Sequence, residues 1–186
     1  VFAIQGSFAA FNEGLFLIQH DTATNRGVSV RAVSDYPKFS RLESLVGPLT
    51  YITTRSESQQ LINAQRDKAA FDKVVLQITG SAERARLFMR NYFRRVEQAN
   101  LFFTSYKEGW KTDRGMIFII FGVPDHVYKF SDREVWEYKN LDGDKHSFTF
   151  VLSSSVFDTE NYVLVRKRNL QNIWLEAVDL NRNARF

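Results

Sequence analysis

The spacing of hydrophobic residues divides the chain into a β-rich start, a helical middle and a second β-rich part. Residues 15–18 form a short apolar run typical of a buried strand, and Val28, Val30 and Ala32 alternate with the residues between them. Residues 21–27 have turn composition, so the pattern predicts a hairpin within residues 1–39. Because two strands alone are marginally stable, we expect this hairpin to pair with the rest of the chain or with strands upstream of it.

Helical spacing takes over after the first β-rich stretch. Residues 40–46 are the first helix candidate, and Thr54 or Ser56 can cap a second helix. Residues 67–78 have apolar positions at helical spacing and predict a third helix. Gly80 follows it, and glycine suits the left-handed conformation that ends many helices.

The clearest predicted element is a long amphipathic helix over residues 81–103. Ser81 is an N-cap residue type, and Glu83 places an acid in the first turn. Seven apolar residues fall within an arc of about 100°, the usual width of a core-facing stripe. They are Ala85, Phe88, Met89, Tyr92, Val96, Ala99 and Phe103.

From residue 115 the period changes to two. Residues 116–121 are a continuous apolar run, which favours a central strand, and Pro124 breaks the pattern after it. Three further strands are predicted. Trp136 and Tyr138 share a face of the first, Phe148, Phe150 and Leu152 share a face of the next, and Tyr162, Leu164 and Arg166 follow in the last. Such a succession predicts an antiparallel meander with one aromatic face, and we expect the long helix to lie across that face.

Leu170, Ile173, Trp174, Ala177 and Val178 fit a short helix near the end of the chain. The fold class predicted is therefore α+β, with N-terminal helices and one long helix on a β-meander. Residues 1–39 are interpreted as a β-hairpin remnant of an upstream β-rich region, and residues 40–186 as the main domain. Because the chain begins on strand, we expect it to be a fragment whose upstream part carries any targeting signal.

Composition narrows the function classes. The chain has 186 residues, 44% of them hydrophobic, with 17 Phe, so it can bury a core. It has no Cys, which excludes disulfides, thiolate metal sites and cysteine nucleophiles. The formal net charge of +4 is mixed along the sequence and gives little support to a polyanion partner. No apolar stretch of about 18 residues predicts a membrane span.

A dense motif lies between the long helix and the predicted first central strand. Gly109, Trp110, Thr112 and Asp113 spell Gly-Trp-x-Thr-Asp. This string resembles the signature of the GWxTD family of bacterial proteins, and the likeness covers roughly residues 40–180. Further matching positions are Tyr92, Arg95, Val96, Ala99, Asn100, Arg114, Gly115, Met116, Phe121, Gly122, Pro124, Asp125, Glu134, Trp136 and Tyr138. Val123 departs from the pattern, where the family usually reads Gly-Pro-Pro-Asp.

The resemblance implies an exported protein of Gram-negative bacteria, often lipid-anchored, in the periplasm or on the outer membrane. It implies no activity, because the family has none established, and its signature often follows a β-rich region. The expected partner is another envelope protein, with a possible lipid anchor upstream of this chain. No cofactor or metal is expected, and the protein is interpreted as non-enzymatic.

Two interpretations of the signature remain open. Trp110 can cover the seam between helix and sheet, with Thr112 and Asp113 fixing the turn by hydrogen bonds to loop backbone. Gly109 and Gly115, on either side of the turn, then provide backbone freedom. Alternatively, Tyr106 and Trp110 form an aromatic recognition platform next to Arg114. The structural interpretation is favoured, because large aromatic residues usually belong to the core.

A second, weaker likeness concerns the turn after the apolar run. Gly122 and Pro124, followed by Trp136 and Tyr138, resemble a pattern in the small lipoproteins that help assemble outer-membrane barrels. The preceding segment is predicted as strand here, where those proteins have helix.

Sequence motifs for metal binding or catalysis are few. His20, His126 and His146 are too scattered in sequence to predict a metal site. No nucleophile elbow or glycine-rich phosphate loop is present, so an unrecognised envelope hydrolase is kept only as an alternative.

A row of arginines on the long helix gives the other alternative function. Arg86, Arg90 and Arg94 recur every four residues, as contacts to nucleic-acid phosphates would require. Glu83 and Glu97 lie at helical spacing from the row and are expected to neutralise part of it. A solvated helix face is therefore favoured over a nucleic-acid-binding surface.

Overall fold

The computed structural model describes residues 12–24, 26–32, 35–139 and 144–185. Within these residues the chain is α+β, with a two-stranded and a four-stranded antiparallel sheet. Its strands are β1 (Gly14–Ile18), β2 (Val28–Ala32), β3 (His126–Lys129), β4 (Arg133–Lys139), β5 (Lys145–Leu152) and β6 (Tyr162–Leu164). Its α-helices are α1 (Leu42–Val46), α2 (Arg55–Asn63), α3 (Lys68–Thr79), α4 (Ala82–Phe103), α5 (Asp113–Phe121) and α6 (Leu170–Arg182), with 3-10 turns at Pro48–Tyr51 and Gly109–Lys111.

Capping residues fix where the first long helices begin. Thr54 caps α2 in a capping box, because its side chain accepts from the Glu57 amide while Glu57 accepts from the Thr54 amide. Asp67 caps α3, and Ser81 accepts a hydrogen bond from the Arg84 amide at the start of α4. These helix positions, and the left-handed Gly80 that ends α3, confirm the sequence predictions.

The prediction of a strand at residues 116–121 is wrong, because this segment belongs to α5. Thr112 caps the helix by accepting a hydrogen bond from the Gly115 amide, and Asp113 supplies the favourable acid of the first turn. Ile117, Phe118, Ile119 and Ile120 are all buried. A helix buried over most of its surface has no wide polar stripe, so residues 116–121 form a continuous apolar run that also fits a buried strand.

The four-stranded sheet is the predicted meander with a different first strand. Strands β3, β4, β5 and β6 pair in sequence order, and Trp136 lies opposite Phe148 in the register. The inward face is buried and contains Glu134, Trp136, Tyr138, Phe148, Phe150 and Leu164. His126–Lys129 takes the edge position that had been assigned to residues 116–121.

Helix α5 lies between the long helix α4 and the sheet, which corrects the predicted layering. Phe118 packs edge-on against Phe103 of α4, with ring centroids 5.6 Å apart. On the sheet side, the centroid of Phe121 lies 4.7 Å from that of Phe148 and 5.5 Å from that of Tyr138. Helix α4 reaches the sheet at its C-terminal end, where Phe103 contacts Trp136.

The predicted hairpin is present, but the predicted buried strand within it is not. Strands β1 and β2 pair with Gly14 opposite Ala32 and Ile18 opposite Val28. Leu15 and Ile18 are more than one third exposed. Among the described strands, neither member of the hairpin pairs with the four-stranded sheet.

Helix α6 closes the domain against the start of the helical region. It covers more of the chain than the predicted short helix, and Asn181 near its end donates to the Ile120 carbonyl of α5 at 2.9 Å. Arg182 donates to both carboxylate oxygens of Glu57 at 2.9 and 2.7 Å and to the Ile52 carbonyl. No helix in the described ranges is both long and apolar enough to cross a membrane.

The Glu57–Arg182 pair predicts acid sensitivity. Hydrogen bonding from Arg182 lowers the pKa of Glu57 from its ordinary value of 4.5 to about 2. A lowered folded-state pKa stabilises the fold at pH above the ordinary value, and this contribution is lost as the pH falls through about 2. After allowance for solvent screening, wild-type protein should lose about 1–2 kcal/mol more unfolding free energy over this window than Glu57→Gln.

Urea denaturation at a series of pH values checks this prediction. Glu83→Gln is the control, since Glu83 is an exposed first-turn acid of α4 and forms no ion pair among the described residues. Equal acid sensitivity of Glu57→Gln and the wild type would contradict the assignment.

Candidate functional site

The signature segment, residues 106–115, joins α4 to α5 by a turn that rests directly on α4. A Cβ atom at Gly109 would lie 1.9 Å from the Ala99 carbonyl oxygen and 2.7 Å from the Asn100 Cα. A Cβ at Gly115 would lie 1.9 Å from the Gly109 carbonyl oxygen. Lack of space, and not the backbone freedom expected from the sequence, therefore explains these two glycines.

Asn100 connects the signature turn to the chain before α1. This side chain is buried, donates to the Pro37 carbonyl at 2.8 Å and accepts from the Trp110 amide at 3.1 Å. The Asn100 carbonyl also accepts a hydrogen bond from the Tyr36 hydroxyl. The sequence placed Asn100 in the family pattern but assigned it no role. Its position next to the apolar stripe of the helix was the available signal, because a buried side-chain amide needs hydrogen-bond partners.

Thr112 joins the turn to α5. Its hydroxyl donates to the Gly109 carbonyl at 2.7 Å and accepts from the Gly115 amide at 2.9 Å. The predicted turn-fixing role of Thr112 is therefore confirmed, although the element that follows is a helix. Because the residue is buried, removing the hydroxyl would leave the Gly115 amide without its acceptor. The Gly109 carbonyl would lose one hydrogen bond and keep the one from the Thr112 amide at 3.1 Å.

Trp110 does not cover the seam between helix and sheet, which corrects the predicted position. It lies against Gly47, where an added Cβ would be 3.1 Å from the indole ring, and packs edge-on against Tyr51. Burial and the Asp113 carboxylate raise the pKa of Tyr51 to about 12, so its hydroxyl stays protonated and donates to the Trp110 carbonyl at 2.7 Å. The indole nitrogen of Trp110 is buried and has no hydrogen-bond partner among the described residues.

The two aromatic residues of the proposed platform have different neighbours. Tyr106 contacts Phe157, with ring centroids 6.5 Å apart, whereas Trp110 contacts Tyr51. Lys107 and Lys111 lie over the rings of Tyr106 and Trp110 respectively. The packing of Trp110 against Tyr51 favours a structural role for Trp110.

Asp113 binds the far edge of the sheet. Its carboxylate accepts from the Leu164 amide of β6 at 2.8 Å and lies 3.4 Å from the Arg166 guanidinium. The predicted hydrogen bond to nearby loop backbone is thus a bond to a strand 51 residues away. Asp113 thereby fixes the start of α5 against β6.

Arg114 and Glu134 form the most buried ion pair of the site. The Arg114 guanidinium lies 3.5 Å from a Glu134 carboxylate oxygen and stacks over the Tyr162 ring at 4.4 Å. Glu134 is 4% exposed, accepts from the Trp136 indole at 3.1 Å and lies 3.8 Å from the Lys129 amine. The sequence named Arg114, Glu134 and Trp136 separately. Alternation along β4 puts Glu134 and Trp136 on one face, and the packing of α5 on that face brings Arg114 to them.

The Gly122–Pro124–Asp125 turn connects α5 to the sheet. The Gly122 amide donates to the Phe118 carbonyl, and its own carbonyl accepts from the buried Tyr138 hydroxyl at 3.0 Å. Asp125 accepts from the Lys139 amide at 2.8 Å. These bonds make the turn a joint between α5 and β4.

The arginine residues of α4 divide between two environments. Arg95 is largely buried and donates to the Ile119 and Ile120 carbonyls, which favourably places a cation at the C-terminal end of α5. Burial lowers the pKa of Arg95. Arg86, Arg90 and Arg94 are exposed, and in the described part of the chain they form no ion pair with Glu83 or Glu97.

The described residues contain no group of three or more His, Cys, Asp and Glu side chains placed to hold a metal ion. His20 and His126 are exposed, and His146 lines a small cleft beside α6.

A family model of the GWxTD domain matches residues 14–183, from the first residue of β1 to the residue after α6. No curated protein matches the chain, and no solved structure matches it.

Proposed function

This chain belongs to the GWxTD domain family, and from that premise we propose that it is a non-enzymatic interaction or assembly module of the Gram-negative cell envelope. It would be located in the periplasm or at the outer membrane, like the exported proteins that the sequence resembles. Its partner would be another envelope protein that supplies an extended segment. The likeness to the lipoproteins that help assemble outer-membrane barrels is supported by α5, a helix where the sequence predicted a strand.

The use of the signature residues supports a binding module over an enzyme. Thr112 and Asp113 form hydrogen bonds with the chain's own backbone. Glu134 forms an ion pair with Arg114 and accepts a hydrogen bond from Trp136. A catalytic site needs polar groups that converge on free space where substrate can lie. In the signature these groups are instead engaged in holding α4, α5 and the sheet together.

The observation that carries the proposal is the hairpin of β1 and β2. Both strands are edges among the described strands, and Val28 and Val30 are 64% and 43% exposed. An open edge with apolar side chains is the surface that an extended peptide can join by strand addition, with backbone bonds for affinity and side chains for specificity.

Site-specific photo-crosslinking in the cells that produce the protein tests the proposal. A photoreactive residue at Val28 should give one discrete adduct with an envelope protein, and Val30→Lys should reduce its yield about tenfold. Leu101 is the matched control position, since it is 60% exposed and lies on α4.

Equal adducts from both positions would contradict the proposal. So would a nucleic-acid adduct, or retention of DNA that falls with salt and depends on Arg90. That result would favour the exposed arginine row as the binding surface.

A further inference from the structure

A cleft next to the signature segment has an apolar interior and a basic rim. It opens between α5, the end of the sheet and α6, and has a volume of about 430 Å³. Its apolar wall consists of Met116, Ile117, Phe148, Leu164, Leu170 and Trp174. Arg166, Lys167 and Arg168, in the segment that joins β6 to α6, form the rim. We call this the basic-rimmed cleft.

The size and lining of the basic-rimmed cleft suit a small molecule. Its volume falls within the range of about 300–1,000 Å³ that is usual for ligand pockets. Such pockets combine a mainly apolar wall with a few polar groups that fix the ligand's orientation. Met116 and Trp174 are partly exposed here, so apolar area remains for a ligand to cover.

The charges of the cleft have one sign. The described residues that line it include three cations and no acid. Asp113 lies 3.4 Å from Arg166 and partly balances it, whereas Lys167 and Arg168 are exposed and form no ion pair among the described residues. Adjacent like charges repel each other, and an anion bound between them removes that repulsion.

We propose that the basic-rimmed cleft binds a single acyl chain with an anionic head group. The chain lies on the apolar wall, and Lys167 and Arg168 hold the head group at the rim. Asp113 acts as a positioning residue, because it binds the Leu164 amide of the wall and Arg166 of the rim. The inference goes beyond the proposed protein interaction, since no described residue of the hairpin lines this cleft.

Calorimetric titration with a series of straight-chain carboxylates, each below its micelle concentration, tests the proposal. Affinity should rise about fourfold with each added methylene until the cleft is filled. Dodecanol, which has the same chain without the charge, should bind about tenfold more weakly than dodecanoate. Trp174 fluorescence provides a second readout, because its ring lies in the cleft wall.

Two double variants separate the rim from general charge. K167Q/R168Q should weaken dodecanoate binding about tenfold, whereas R86Q/R90Q removes the same charge from α4 and should leave it unchanged. All four positions are exposed, and unfolding midpoints check that both variants fold.

Three results would overturn the inference: no saturable binding, equal binding of dodecanol and dodecanoate, or equal weakening by both double variants. Tighter binding of a short apolar peptide with a free C-terminal carboxylate would replace the acyl chain as occupant. Because hairpin crosslinking is measured separately, failure here leaves that experiment's result intact.

Discussion

Gly109→Ala is expected to lower the free energy of unfolding by about 3 kcal/mol or more. The added methyl group would lie 1.9 Å from the Ala99 carbonyl oxygen, so the turn must move away from α4. This movement also breaks the hydrogen bond from the Trp110 amide to Asn100. Urea denaturation followed by far-UV circular dichroism measures the loss as a lower midpoint.

Gly14→Ala is the matched control for this prediction. An added Cβ at Gly14 has only the Phe16 ring nearby, at 3.8 Å, so its effect should stay within about 0.5 kcal/mol. A Gly109→Ala protein as stable as the control would mean that the signature turn does not rest on α4.

Glu134→Leu is expected to cost about 3 kcal/mol, because it removes one partner from a buried charge pair. Arg114 loses its carboxylate and the buried Trp136 indole loses its acceptor. Glu134→Gln keeps an oxygen for the indole, so it should recover part of the loss. Thermal unfolding monitored by near-UV circular dichroism measures both variants through the environment of Trp136.

Glu137 provides the control on the same strand. It lies three residues along β4, on the opposite face of the sheet, where its carboxylate accepts from the Tyr128 hydroxyl at 3.4 Å. Glu137→Leu should therefore cost less than about 1 kcal/mol. If both leucine variants lost equal stability, burial of Glu134 could not be the cause.

The local part of the fold follows from the sequence because caps act over three or four residues. Thr54, Asp67 and Ser81 carry side-chain oxygens immediately before helical spacing begins, and each caps the helix that follows. The meander was predictable because alternation is also a short-range pattern. It identifies Trp136 and Phe148 as residues of the apolar face, and the two lie opposite each other in the sheet.

The layer order could not be obtained in this way. Hydrophobic periodicity detects a difference in polarity between the two faces of a helix. In α5 that difference is small, because Ile117, Phe118, Ile119 and Ile120 are all buried. Thr112, an N-cap residue type, was the available signal for a helix, but the continuous apolar run at residues 116–121 was taken to predict a strand. Once that segment was taken as strand, α4 was left as the element to cover the sheet.

Most of the candidate site depends on contacts distant in sequence. The signature identified Asp113 and Glu134, but their partners Leu164 and Arg114 lie 51 and 20 positions away in the numbering. Arg166 was assigned to the last strand of the predicted meander, and Lys167 and Arg168 carried no prediction. Their relation to an apolar cleft depends on α6 folding back beside α5.

The central position of α5 makes the domain difficult to divide. A helix of nine residues is too short to persist alone in water, and this one has no polar side to offer as a surface. It is therefore stable only when α4, the sheet and α6 surround it together. Deleting any one of these neighbours would expose this apolar, aggregation-prone segment to water. A truncated derivative should therefore precipitate and would not retain part of the fold.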